Sequence, residues 1–455
     1  MKYLVFTIAA LGVIPFSFLL SQNKYWIKNA FLGMIIAMCL YIRTSINFFS
    51  HETYRGSARG MEVSLAHLMA FSIIGALMFA GKFKHWIPDW GYRLYIIYFL
   101  LCLPSLRSAE NLLLSWFEIW KMIMLFFLYV AVYNYLRMSN DLKTVISYLA
   151  IFTIINMLVI VWNHVHGAYQ PHGLFPHQNS MAMAMHLFGP VFFASYVTNG
   201  FSTRIYKVFS LAFICAAAAT ARSYSRMALA LMPIGYGISF LFCVFQQRPR
   251  NWIIRILPIA LAGMLGLALM LPRIIERFTT ANSASGTTRI ELARCAWEMI
   301  KDEPWRGVGI NNWGIKINSP YEYAERAERS AGRGEDFADG IVETVYLLVC
   351  AECGIPALLA MLAWFGWYYI KCISLMKRLK NTEWFFIPAG LFGGFTIIAM
   401  QSCFEWVYRQ QLNLICLMFM FAIISFLDSK TLEQKHKTAS KDNLEGKPAI
   451  NFPLI

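Results

Sequence analysis

The sequence predicts an all-α polytopic membrane protein of about 12–13 transmembrane helices, with one large extracytoplasmic loop that contains an amphipathic helix. Three observations carry that expectation. Hydrophobic residues make up 58% of the 455 positions and charged residues only 14%, too few charges to coat a soluble body of this size. Apolar runs approaching the roughly 20 residues that a spanning helix needs recur from the first residue to about Leu427. The basic residues cluster in alternate links between those runs, as cytoplasmic loops do.

The runs lie at 3–20, 26–44, 62–81, 94–106, 112–136, 144–163, 180–198, 206–221, 227–246, 254–271, 341–370, 385–402 and 410–427. The first follows Met1 and Lys2 directly and resembles a signal peptide, but no small-residue cleavage site precedes the next run, so it reads as a retained span. Residues 1–271 then form a first bundle, 272–340 the loop domain, 341–427 a closing bundle, and 428–455 a polar, Lys-rich tail expected to be flexible and cytoplasmic.

With 272–340 placed outside, sixteen lysines and arginines, from Lys24 to Lys380, fall in cytoplasmic links. The opposite short links hold Arg43, Arg55, Arg59, Arg107, Arg222, Arg226 and Arg409, and no lysine. The net charge of +15 therefore reflects topology, and no nucleic-acid partner is expected. The ten cysteines lack the spacing of a disulfide framework. Cys350 and Cys353 form a CxxC without a second Cys or His pair at zinc spacing, and read as helix-packing residues.

The loop is nearly neutral, with ten basic and eleven acidic residues. After Ser285-Gly286-Thr287-Thr288, the residues Ile290, Ala293, Trp297 and Ile300 recur at helical spacing, which predicts an amphipathic helix over about 288–301, stopped by Pro304. Gly307-Val308-Gly309-Ile310-Asn311-Asn312 then reads as a structural tight turn, too short and wrongly placed for a dinucleotide loop.

Polar residues at the outer ends of spans are costly unless they line a cavity. His164, His166, His172 and His177 share one loop with no carboxylate or cysteine nearby, so they suit hydrogen bonding to a headgroup or sugar better than zinc. No metal and no cofactor is expected. Arg222-Ser-Tyr-Ser225-Arg226 links two apolar helices and holds two guanidinium groups near the hydrocarbon edge. These could anchor at the interface or, together with Arg289, fork onto phosphate oxygens.

Four segments occur in a recognisable order. Gly173-Leu-Phe-Pro-His177-Gln-Asn179 precedes a span, and Ser225-Arg226 starts another. The loop carries Arg289, Trp297, Ile300-Lys-Asp-Glu-Pro304, Gly307-Val-Gly309 and Asn312, and Tyr346-Leu347, Ala351-Glu352-Cys-Gly354-Ile follows. This order and topology, over most of the chain, resemble the O-antigen ligase and polymerase superfamily of membrane glycosyltransferases. Tyr54-Arg55-Gly56, Arg59-Gly60-Met-Glu62 is similar to exopolysaccharide members of that group.

The resemblance implies a metal-independent, inverting enzyme of the bacterial inner membrane, active at its extracytoplasmic face. It would polymerise undecaprenyl-pyrophosphate-linked repeat units; the alternative is ligation of the lipid-linked glycan to a lipid A core or another acceptor. A chain-length regulator and a flippase of the same pathway are its implied partners, beside donor, acceptor and bilayer. By position Arg226 and Arg289, with Arg222, would hold the donor pyrophosphate, and His172, Asn179, Arg409 and Tyr346 would contact substrate.

Where ligases carry a His-Asn-x-Tyr-Leu pattern this chain reads Glu343-Thr344-Val-Tyr346-Leu347. The expected base is therefore Glu343, then Glu405, then His177, with Glu343 as a mere arginine partner the competing reading. A transporter is the rival class, but it calls for internal repeats and midplane polar residues. A structural subunit of an export complex is a third.

Overall fold

The computed structural model describes residues 2–51, 53–199, 202–247, 252–279, 284–327 and 340–444. They form a helical membrane protein, and each of the thirteen apolar runs falls on helix. The first run divides into α1 (Lys2–Leu11) and α2 (Val13–Ser21), and the second into α3 (Lys24–Cys39) and the single turn α4 (Tyr41–Thr44). Then come α5 (Leu65–Phe79), α6 (Trp90–Cys102), α7 (Leu112–Ser139), α8 (Leu142–Val165), α9 (Gln178–Asn199), α10 (Arg204–Arg222) and α11 (Arg226–Phe242). The loop side holds α12 (Trp252–Thr279), α13 (Ala284–Asp302), α14 (Trp313–Lys316) and α15 (Tyr323–Arg326), and α16 (Val345–Arg378), α17 (Phe386–Gln401) and α18 (Gln411–Leu444) close the bundle.

Helix starts follow from local chemistry. Side chains of Asn23, Asn111, Asp141 and Ser225 cap α3, α7, α8 and α11, accepting from backbone N–H groups that have no intrahelical partner. Ser64 and His67 form a reciprocal capping box, so α5 begins at Leu65 and not at Glu62 as the apolar run suggested. Residues 61–63 instead form strand β2 (Met61–Val63), antiparallel to β1 (Ile46–Phe48), with Asn47 opposite Glu62.

Among the described residues, seven helices are long and apolar enough to cross a membrane, and shorter apolar helices accompany them. α9 and α18 are almost wholly enclosed, whereas α8, α10 and α11 turn apolar faces outward, including Leu158, Trp162, Leu211, Ile214 and Ile234. Those faces belong against lipid tails. α9 packs closely on α17 because Gly390 has no side chain: a Cβ there would lie 2.3 Å from the Val191 backbone.

Two boundaries differ from the sequence expectation. α12 continues through Pro272 to Thr279. α18 runs beyond Leu427 to Leu444, its added turns tied by Arg137 to Glu433 at 2.6 Å and Arg378 to Thr431 at 2.7 Å. The rest of the expected tail, 445–455, lies outside the described residues.

Candidate functional site at one end of the bundle

The links assigned to one side by charge bias meet around a cavity of about 630 Å³. One half of its wall comes from His177 and Asn179 at the start of α9, Arg289 in α13, Glu343 before α16, and Glu405 and Gln410 between α17 and α18. The other half comes from Tyr41 in α4, the β1–β2 hairpin and Lys121 of α7. Residues more than two hundred positions apart thus share one polar chamber.

Its electrostatics are uneven. Arg289 donates through Nε to Oε2 of Glu343, and both side chains are about one-third exposed, at 32% and 36%. Glu405 is buried, at 5% exposure. Burial pushes its carboxyl up to about 7, the Glu343 charge pushes the same way, and Arg289, Asn179 and Ser225 pull it back. A carboxylate so placed titrates where a general base works best. Burial, with the neighbouring His172, holds His177 below the usual imidazole range. Its Nδ1 accepts from the Asn179 N–H at 3.3 Å, so the neutral ring carries its proton on Nε2.

The other expected site residues are distributed around this centre. Ser225 caps α11 by accepting from the Ala228 N–H at 3.4 Å, and its hydroxyl approaches Glu405. Arg226 is the next residue, half-buried, and stands beside the cavity without lining it. Arg222 donates from Nη1 to the Tyr224 hydroxyl at 2.7 Å, while its buried Nη2 has no hydrogen-bond partner among the described residues. His172 lines a neighbouring, mainly apolar cavity of about 660 Å³ that meets the first at Ile42, and its buried Nδ1 is likewise unpartnered among the described residues.

Two expected substrate contacts lie elsewhere. Tyr346 turns its hydroxyl to the Ala399 carbonyl at 2.9 Å, outside the chamber. Arg409 is 3% exposed and donates to Glu118 at 2.8 Å and Glu352 at 2.9 Å, so its fork is already occupied.

Residues 211–362 match the family model described as O-antigen ligase. That segment, about a third of the chain, is similar to the O-antigen ligase family. No curated protein matches the chain. The matched segment holds Arg222, Ser225, Arg226, Arg289 and Glu343, whereas the His177 loop, the hairpin and Glu405 reach the chamber from outside it.

The chamber stands on a charged network that joins Arg409 and Glu352 to Glu118 and Lys121, two residues that sequence reading did not single out. Lys121 pairs with Glu118 at 2.7 Å and donates to the carbonyls of Arg409 at 2.8 Å and Ser57 at 3.3 Å. Glu118 also accepts from the Ser57 hydroxyl at 2.8 Å. Glu352 accepts from Arg409 and, at 3.3 Å, from the Trp313 N–H. Glu118 and Lys121, one helical turn apart within an apolar span, were the signal available in the sequence.

The glycine turn completes this platform. Gly307 has φ +74°, and a Cβ there would meet the Glu352 backbone at 2.3 Å. Val308 N–H donates to the Ala351 carbonyl at 2.8 Å, and Asn311 donates to the Ala58 and Leu114 carbonyls at 2.8 and 2.7 Å. The turn therefore docks the loop on α7 and on α16, which breaks there at Gly354.

Proposed function

We propose that this protein transfers a glycan from an undecaprenyl-pyrophosphate carrier to a glycan acceptor at the extracytoplasmic face of the bacterial inner membrane, acting as a polymerase of lipid-linked repeat units. The observation that carries the reading is the meeting, in one chamber, of a cation at Arg289 with a buried carboxyl at Glu405 that titrates near 7.

In this reading Glu405, rather than Glu343, takes the proton from the acceptor hydroxyl. Glu343 is committed to its ion pair with Arg289, and its charge helps to keep Glu405 basic. The acceptor oxygen forms a bond to the anomeric carbon while the bond from that carbon to the phosphate oxygen breaks, with inversion. The electron pair leaves on the pyrophosphate, which Arg289 stabilises with the help of Arg226 and Arg222 in this reading. Asn179 orients the Glu405 carboxyl, and His177 donates through Nε2 to a sugar oxygen. The apolar cavity beside His172 suits the first isoprene units of the carrier.

Transfer of the glycan to a lipid A core is the second reading, favoured by the description of the matching family. Arg289→Glu, assayed in proteoliposomes with lipid-linked glycan extracted from the producing strain, is expected to abolish release of carrier pyrophosphate while the protein stays folded in the membrane. Undiminished release would overturn the donor site. Gel analysis of a deletion strain separates the two acceptors: single units on lipid A indicate a polymerase, accumulated lipid-linked polymer a ligase.

A further inference from the structure

The hairpin half of the chamber has a chemistry that the donor side does not use. Tyr41 is 4% exposed and lines the cavity, with its hydroxyl turned to the Glu62 carboxyl, so phenol and carboxyl face the cavity as neighbours. Asn47 stands opposite Glu62 across the two strands, and both line the same wall with Arg59. The three donors of the Lys121 ammonium are all taken, by Glu118 and the carbonyls of Ser57 and Arg409. It fixes the wall and has no hydrogen left for a ligand.

What faces the cavity is thus a phenol, an amide, a carboxylate and one guanidinium whose charge the carboxylate offsets. Small residues, Gly56, Ser57, Ala58 and Gly60, line the wall between them. Such a set matches the alternating donors and acceptors of a sugar's hydroxyls, and lacks the excess positive charge that a pyrophosphate needs.

We infer that Tyr41, Asn47, Arg59 and Glu62 form the acceptor subsite, which holds the terminal sugar of the incoming glycan with one hydroxyl turned toward Glu405. This rests on the transferase reading above and adds where the second substrate sits. The subsite is built from the hairpin, outside the matched family segment, so acceptor choice is encoded separately from the donor clamp.

The test uses the full chain in proteoliposomes. The donor is the extracted lipid-linked glycan, and the acceptor is the same glycan freed of its carrier by mild acid, which cannot itself act as a donor. Asn47→Ala and Glu62→Gln are expected to raise the KM for the free glycan about tenfold each, the loss of a hydrogen bond to a ligand, with the donor KM unchanged within about twofold. Asn47→Ala removes a half-buried side chain with no structural hydrogen bond among the described residues, and it keeps the test valid if Glu62→Gln is poorly folded. An unchanged acceptor KM, or an equal rise in the donor KM, overturns the subsite while the transferase reading stands. If the unaltered protein transfers nothing to any acceptor, the transferase reading falls and this inference with it.

Discussion

Two charged centres lie within one fold and are finished differently. In the network of Glu118, Lys121, Arg409 and Glu352 every charge is buried and matched, at 0–3% exposure and with contacts of 2.7–2.9 Å. In the chamber Arg289 and Glu343 are paired at the edge of solvent, and Glu405 is buried without a cation of its own. Full pairing makes a platform, because a charge that has been desolvated and satisfied gains nothing by contacting a ligand. An unmatched carboxyl is poised to exchange a proton. The difference separates residues that hold the loops from those proposed to act on substrate, although all of them are polar groups at one end of a membrane bundle.

Substitutions on the two sides should therefore fail in different ways. The largest effect is expected from Glu405→Gln, which keeps the shape and removes the base: transfer should drop by about 10²–10⁴-fold with an unaltered yield of folded protein, measured by product formation in proteoliposomes. Arg409→Ala should do the reverse. It leaves Glu118 and Glu352 buried without their cation and costs about 3–5 kcal/mol, read as lost thermal stability in detergent and poor recovery from the membrane. Equal stability of these two variants would erase the distinction.

A smaller effect follows from linkage. Glu405 has a folded-state pKa raised above its unfolded value, so the folded state binds the proton more tightly. The stability this contributes is fully present below about pH 4.3, the unfolded value, and is lost as pH rises through about 7. Glu405→Gln should thus melt about 2–4 °C above the unaltered protein at pH 8 and level with it only near or below about pH 4, by differential scanning fluorimetry. A lower melting point at pH 8 would mean that the ionised carboxylate is stabilising.

The spans were legible because a bilayer demands long apolar runs, and the loop orientation because lysines avoid one set of links. Arg289, Asn179, His177 and Glu405 were recognisable as polar groups at span ends, and the structure brings them together. Periodicity could not show that Arg289 is committed to Glu343, the contact behind the proposal of Glu405 as the base. Nor could it show the hairpin: Glu62 extends an apolar run that reads as helix, and only the Ser64–His67 cap and the pairing with Asn47 put it in a strand. Arg409 looked like a substrate ligand for want of visible partners. Those partners, Glu118 and Glu352, sit inside spans far away in sequence.

The division between platform and chamber is tested most directly by the pH dependence of kcat/KM in the unaltered protein and in Glu343→Gln. The unaltered enzyme should gain activity as pH rises, with an acidic limb centred near 7, since the base must be ionised. Glu343→Gln removes the like charge that helps to raise Glu405 and frees Arg289 to act on it, so the limb should move to lower pH. A limb that stays in place, or a rate indifferent to pH between about 5 and 8, would contradict the assignment of Glu405 as the base.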